Sequence, residues 1–466
     1  MMLGEREMAL NVVIMAAGKG TRMRSALPKV LHKLAGRSLL SHVLGRAAEL
    51  GAQRTLVVTG HGAEQVEAHV GAAATCVRQE PQLGTGHAVQ QTVPALDTAH
   101  ATTLILNGDV PLIEPATAAA LAAACGGERL ALLTVVLQDA TGYGRIVREA
   151  SGERVLAIVE HKDASAEQRA IREVYTGMMA APTALLQKWV MALNNQNAQG
   201  EYYLTDIVAM AAAEGVPVVA TQAADEVEVL GVNSPAQLAD LERRFQRRQA
   251  EALMNAGVRL ADPARFDLRG TLTCGQDVEI DVNCVFEGAV TLGDGVKIGA
   301  HCVLRNAVIA EGVVIHPFCH IDGDKDGVSV GAGSLIGPYA RLRPGAQLGA
   351  EVHIGNFVEV KNSTLADGAK ANHLAYLGDA TVGERVNFGA GSITANYDGA
   401  NKHRTVIGHD VHVGSNCVLI APVTLGDGGT IGGGSTIAKN TPPDQLTVAR
   451  AKQVSLAGWK RPQKKR

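Results

Sequence analysis

Aromatic residues are scarce in this 466-residue chain, at 3%. A core with so few rings must be packed by aliphatic side chains, as a thin stacked coil would require. The seven cysteines (Cys76, Cys125, Cys274, Cys284, Cys302, Cys319, Cys417) contain no CxxC pair and no zinc spacing, and their number is odd. That pattern argues against a disulfide framework or a zinc site. They read as reduced, small apolar fillers, and a cytoplasmic location is expected. No apolar run approaches the ~18 residues of a membrane span, and no signal h-region precedes the first strand, so no membrane partner is expected. The net charge of −3 argues against a nucleic-acid binder held by bulk charge. Met1 to Ala9 reads as an unstructured extension. The basic tail Lys460, Arg461, Lys464, Lys465 and Arg466 reads as a solvated end.

What is present is apolar and glycine-rich. Hydrophobic residues make up 46% of the chain, so it is no disordered protein. The length suggests about two to four domains. From Val330 every sixth residue is a branched aliphatic: Val330, Ile336, Leu342, Leu348, Ile354, Val360. The period returns at Ile407, Val413, Leu419, Leu425, Ile431 and Ile437. Neither a helix nor a flat strand repeats every six residues. A triangular coil does: each side is a short strand with its central aliphatic inward, and the next residue turns the corner. Glycine follows the aliphatic at 331, 337, 349, 355, 408, 414, 426 and 432, where its backbone freedom suits a tight corner. A parallel β-helix of hexapeptide repeats is expected, its phase slipping near 303–330. The repeat breaks between Ile393 and Ile407, where a polar insert over 396–403 would extrude as a loop.

The first half alternates strand-like and helical patterns, which predicts an α/β fold around a parallel sheet. Asn11 to Ala17 is apolar and ends at Gly18-Lys19-Gly20-Thr21-Arg22-Met23. Helical spacing is expected around Val30, Leu31 and Leu34, and from Leu39 to Leu50. A glycine-rich turn after a first strand suits phosphate binding by backbone N–H groups. It fits neither a Walker A loop nor a dinucleotide fingerprint. Gln82-Leu83-Gly84-Thr85-Gly86-His87 suggests a loop pressed on a flat ligand such as a uracil ring, ahead of the alternative of a plain helix N-cap at Thr85. Asp109, in Asn107-Gly108-Asp109-Val110-Pro111, lies past an apolar run, where α/β ligands bind. It either closes a turn or holds Mg²⁺.

The longer string from Ala17 to Met23, followed by Pro28-Lys29, resembles the signature of sugar-nucleotide pyrophosphorylases. With Thr141 to Ile146, Ile158 to Asp163, Gly200 to Asp206 and Gly231-Val232-Asn233, the resemblance spans essentially the whole chain. It is to the bacterial bifunctional family of UDP-N-acetylglucosamine synthesis, which serves peptidoglycan and lipopolysaccharide. The resemblance implies a Rossmann-like (GT-A-like) nucleotidyltransferase domain over 1–233, a linker helix over 234–256, and a left-handed β-helix acetyltransferase over 257–466. It also implies a homotrimer, Mg²⁺, and the substrates UTP, acetyl-CoA, glucosamine-1-phosphate and N-acetylglucosamine-1-phosphate.

Carried over residue by residue, nucleotide-sugar contacts fall on Met15, Ala16, Ala17, Gly18, Lys29, Gln79, Gly84, Thr85, Asn107, Gly108, Asp109, Gly144, Glu160, Tyr175 and Asn233. Asp109 and Asn233 would ligate Mg²⁺, and Arg22 and Lys29 would act catalytically on phosphates. Asn107 stands where Tyr is common in the family, and Tyr175 where Asn is usual. In the solenoid, sugar contacts fall on Arg343, Lys361, Tyr376 and Asn387, and the catalytic base on His373. Acetyl-CoA contacts fall on Ala390, Asn396, Tyr397, Ser415, Gly433 (usually Ala) and Arg450. N-acetylation needs a neutral amine, and an imidazole with a pKa of roughly 6.5 suits the proton's removal near neutral pH. Two other readings remain open at this point: a single-function uridylyltransferase whose solenoid only assembles subunits, and a solenoid that is a structural or regulatory binding module.

Overall fold

The computed structural model describes residues 9–98, 102–149, 154–197 and 199–464. The extension expected before the first strand lies outside these, apart from Ala9, as do Lys465 and Arg466 of the tail. The chain forms two compact units that divide between Phe245 and Gln246. The division falls within one helix, Pro235–Asn255. Leu238, Leu241 and Phe245 of that helix pack into the first unit, while Ala250 and Leu253 pack into the second.

In the first unit the strands lie in the order Val218–Gln222, Leu130–Val136, Glu173–Pro182, Thr102–Asn107, Leu10–Met15, Arg54–Thr59, Thr75–Arg78. Leu10–Met15 pairs in parallel with both its neighbours. Its side chains alternate between two cores: Val12 and Ile14 pack on one face, Val13 on the other, all three fully buried. A strand covered on both faces has no polar side, hence the continuous apolar run.

Two expectations need correction. The sheet is mixed: Glu173–Pro182 runs antiparallel to both neighbours, and Arg145–Arg148 with Val155–Val159 forms an antiparallel pair beside it. That strand is reached through this pair and a short helix, so no long helical crossover dictates a parallel course. The helix expected from Val30 begins only at Leu39. Ala35 and Gly36 at positive φ fold Lys33–Leu34 back on Arg37–Ser38, and the Ser38 hydroxyl then caps the helix by accepting from Ser41 N.

The second unit is a three-sided prism of parallel ladders. Ile336 and Ile354 lie in one, Leu342 and Val360 in the next, Val330 and Leu348 in the third. Every aliphatic of both hexad series is at most 5% exposed. Register measures the length of each coil. Ile280 pairs with Ile298, Ile298 with Ile315, Ile315 with Ile336, and Phe388 with Val413. The regular eighteen-residue turn thus drops by one, then gains three, and later gains seven, which accounts for the phase slips and the polar insert.

The glycines after the inward aliphatics serve a different purpose from the one expected. Of the eight, only Gly337 has positive φ. The left-handed corner residues fall further along the chain, at Asn283, His301, Phe318, Tyr339, Phe357 and Leu374. The glycines are required because coils stack closely: a Cβ on Gly355 would overlap the Asn372 carbonyl, and one on Gly331 the backbone of Gly349.

Candidate active sites

The first site lies at the carboxyl ends of Leu10–Met15 and Thr102–Asn107, where open α/β sheets bind ligands. A cleft of about 430 Å³ is lined there by Met15, Ala16, Ala17, Gly18 and Lys29 from one stretch of chain. Gln79, Gly84, Thr85, Asn107 and Asp109 line the rest, with Lys19, Val30, Gln82, Ala88 and Glu201, which the residue-by-residue reading did not include. Gly108 is tied to the first strand, its N–H donating to Met15 O at 2.9 Å. The 82–87 loop is clamped from behind: Gly86 N donates to Tyr202 O at 2.7 Å and Tyr202 N to Leu83 O at 2.8 Å. Gly84 has φ 106°, and a Cβ there would press on Tyr202 O, so this loop requires glycine. Thr85 accepts from Leu204 N through its hydroxyl, and Gln79 donates to Gly84 O at 2.9 Å.

Asp109 and Asn233 stand together because Val232 N donates to Asp109 O at 3.0 Å. Lys29 Nζ donates to Asp109 Oδ2 at 2.5 Å and to Asn233 Oδ1 at 3.0 Å. Two hard oxygens already converge on one cationic nitrogen. Magnesium is commonly held by one or two such oxygens plus substrate phosphates, so the donor set fits it. Among the described residues no group of three or more His, Cys, Asp or Glu suits a metal.

Gly144, Glu160 and Tyr175 form a separate group. Tyr175 N donates to Gly144 O at 2.9 Å, and Thr205 Oγ1 donates to Glu160 Oε1 at 3.4 Å. Burial pushes the Glu160 carboxyl up. The Tyr175 hydroxyl is buried without a hydrogen-bond partner among the described residues. Asn107 turns its amide to the Thr176 carbonyl at 3.4 Å, in space left by Gly177. Arg22 is not gathered in; it is exposed on the short turn Thr21–Met23 and does not line the cleft.

On the prism, one corner carries a column of predicted residues. His373 pairs in register with Asn356, and Asn356 Oδ1 lies 2.8 Å from His373 Nδ1. With the amide oxygen accepting, Nδ1 bears the proton and Nε2 keeps its lone pair. Gly391 N, next to Ala390, donates to His373 O; Asn416 N, next to Ser415, donates to Ala390 O; Gly434 N, next to Gly433, donates to Ser415 O. Arg450 Nη1 closes the series on Gly433 O at 2.6 Å. His373 also borders a hollow of about 420 Å³ with Pro338, Tyr339, Asn356 and Phe357. Beside this column the rings of His301, Phe318, Tyr339 and Phe357 stack on successive coils at centroid spacings of 4.9, 4.9 and 5.3 Å.

Tyr376 lies just past the corner, facing outward on the next ladder beside Glu359. Arg343 Nη1 donates to Glu359 Oε1 at 2.7 Å, and Lys361 sits beside Lys402 and Arg343, whose positive charge, with burial, lowers its pKa. Arg343, Lys361 and Lys402 thus make an anion-attracting cluster. Lys402 was legible only as part of the insert. Asn396 is buried and donates to Asp379, while Tyr397 is exposed on the extruded loop. Asn387 is not brought to this group: it lies on the preceding ladder, between Lys370 and His412.

Fold and sites together define a two-headed transferase, a nucleotidyltransferase cleft followed by a hexapeptide-repeat acyltransferase prism. Residues 12–180 match the MobA-like NTP transferase domain, and residues 272–306, 327–362 and 404–439 match the bacterial transferase hexapeptide (six repeats). The chain is 76% identical to the bifunctional protein GlmU of Methylibium petroleiphilum, covering 98% of this chain and 100% of that one. It is 68% identical to that of a Polaromonas species over 98% of both chains, and 60% identical to that of an Azoarcus species over 98% and 100%. The chain belongs to the bifunctional GlmU family. It N-acetylates glucosamine-1-phosphate from acetyl-CoA and transfers uridylyl from UTP to N-acetylglucosamine-1-phosphate, releasing pyrophosphate.

Proposed function

We propose that the two reactions are divided between the two sites, with residues in the following roles. In the cleft, Lys29 holds nucleotide phosphates, and Gly84 and Thr85 present a flat backbone to the uracil ring. Gly108 sets the strand end there, while Gly144, Glu160 and Tyr175 face the sugar side. Arg22 reaches the phosphates only once its exposed turn closes. Mg²⁺, held by Asp109 and Asn233, would neutralise phosphate charge as the sugar phosphate attacks the α-phosphate of UTP in line. The protein's own part is placement and charge balance.

In the prism, Arg343 and Lys361 hold the phosphate of glucosamine-1-phosphate, and Tyr376 the sugar. His373 Nε2 takes a proton from the amine as its nitrogen attacks the thioester carbonyl; the thiolate of CoA leaves and is reprotonated. Acetyl-CoA runs along the corner of Ala390, Ser415, Gly433 and Arg450, with Asn396 and Tyr397 on its flank. The observation that carries this reading is the position of His373 at the end of that column. Asn387 joins from a neighbouring copy, in a homotrimer; its place on a different ladder from Tyr376 supports this. The seven free cysteines support a reducing, cytoplasmic setting. Among the described residues no helix is long and apolar enough to cross a membrane.

His373→Ala is expected to lower acetyl transfer about 10²–10⁴-fold, the scale of a lost general base. Thiol release from acetyl-CoA falls, while pyrophosphate release from UTP is unchanged. Equal loss of both activities would overturn the division.

A further inference from the structure

The ammonium of Lys29 stands where a divalent cation is expected. Its Nζ touches both oxygens assigned to that cation, 2.5 Å from Asp109 Oδ2 and 3.0 Å from Asn233 Oδ1. The lysine and aspartate side chains are only 13% and 19% exposed, so a lone carboxylate here would be poorly compensated by water. Magnesium binds oxygen at about 2.0–2.1 Å. A nitrogen already this close to both oxygens leaves no room for it, and two cations at one point repel. We propose that Lys29 is a tethered placeholder: it balances Asp109 and blocks the metal position until nucleotide phosphates draw its ammonium away. The lysine stem is flexible, with its base close against Gly20 and its length along the cleft that Gly18 and Lys19 line, so Nζ can swing while the backbone stays put. Metal and nucleotide binding are then coupled with positive sign, each favouring the state that the other needs.

This inference rests on the assignment of Asp109 and Asn233 as metal ligands, and the test separates the two. The probe is Mn²⁺ alone, titrated into the full chain without nucleotide and followed by electron paramagnetic resonance. A placeholder present nine-tenths of the time weakens apparent affinity about tenfold, so Lys29→Met and Lys29→Gln are each expected to bind Mn²⁺ about tenfold more tightly than the parent chain. Lys19→Met removes the same unit of charge from the same cleft without vacating the position, and should leave affinity nearly unchanged. Diffraction from crystals soaked at a Mn²⁺ concentration between the two dissociation constants should show a strong anomalous peak beside Asp109 in Lys29→Met and a much weaker one in the parent. Equal tightening in Lys19→Met and Lys29→Met, or no tightening in either lysine-29 variant, overturns the placeholder. If Asp109→Ala leaves Mn²⁺ affinity untouched, the metal-site assignment itself fails.

Discussion

The cleft and the prism assemble their chemistry in opposite ways. In the cleft, topology does the gathering. Lys29, Asp109 and Asn233 are separated by 80 and 204 residues, yet one nitrogen touches both oxygens. Different strands deliver loops to one sheet edge, and a single chain unites them. In the prism, each coil lies on the last, so residues at equivalent corners form straight columns. His373, Ala390, Ser415 and Gly433 are placed by stacking alone. A column is easily built, but a pocket needs walls from several directions, and a convex prism supplies one face at a time. A cleft can therefore be complete in one copy, while in the proposed arrangement the solenoid site borrows Asn387 from a neighbour.

The sharpest way to break this contrast is complementation. Asn387→Ala and His373→Ala chains, each deficient in acetyl transfer, are co-expressed and purified as mixed assemblies. If Asn387 serves the site of another copy, about a quarter of random pairings join the two intact residues, and about a quarter of the parental rate returns. If both residues serve one site within one chain, mixing returns no more than the rate of the better variant alone. The same experiment on Lys29→Met with Asp109→Ala should restore nothing, because that site is drawn from a single copy.

A smaller effect tests whether the two units stand independently. Leu342 is fully buried, and its loss leaves a cavity in a core only one side chain deep. Leu342→Ala is expected to cost the prism about 2–5 kcal/mol. Calorimetry should show the melting of the second unit lowered, while uridylyl transfer at 25 °C is unchanged. Parallel loss of both would mean that the connecting helix transmits the damage, and the contrast would lose its meaning.

Legibility in the sequence followed the same division. The hexads at 330–360 and 407–437 announce the prism because period and fold are one thing there: each step of six moves to the next ladder. What the period concealed was why glycine follows the aliphatic. Corner geometry and close stacking predict the same residue, and only coordinates separate them. The stack of His301, Phe318, Tyr339 and Phe357 was hidden because its separations follow coil lengths that change from turn to turn. In the cleft the motifs around Gly18, Gly84 and Asp109 were legible singly. Their convergence was legible only through the family resemblance, because no local pattern states which loops share a sheet edge. Nor did local pattern reveal that Glu173–Pro182 reverses direction, since strand propensity is blind to it.

Asn356 is the finest test of how the prism places its chemistry. It was absent from the residue-by-residue reading, yet it is the residue one coil before His373, and its Oδ1 lies 2.8 Å from the imidazole Nδ1. If that contact only fills space, Asn356→Ala should alter acetyl transfer little. If it holds the tautomer that leaves Nε2 free, the loss is that of one hydrogen bond, about 1 kcal/mol, or about fivefold in rate. The pH profile supplies a second readout. Asn356→Asp still accepts from Nδ1–H and adds negative charge, which favours the protonated imidazole and moves the acidic limb of the kcat profile to higher pH. The alanine variant should lower kcat with little change in KM for acetyl-CoA if the thioester contacts lie, as proposed, elsewhere along the column. A shift in KM alone would make Asn356 part of the substrate wall, and His373 would then owe its orientation to the corner backbone rather than to its neighbour one coil before.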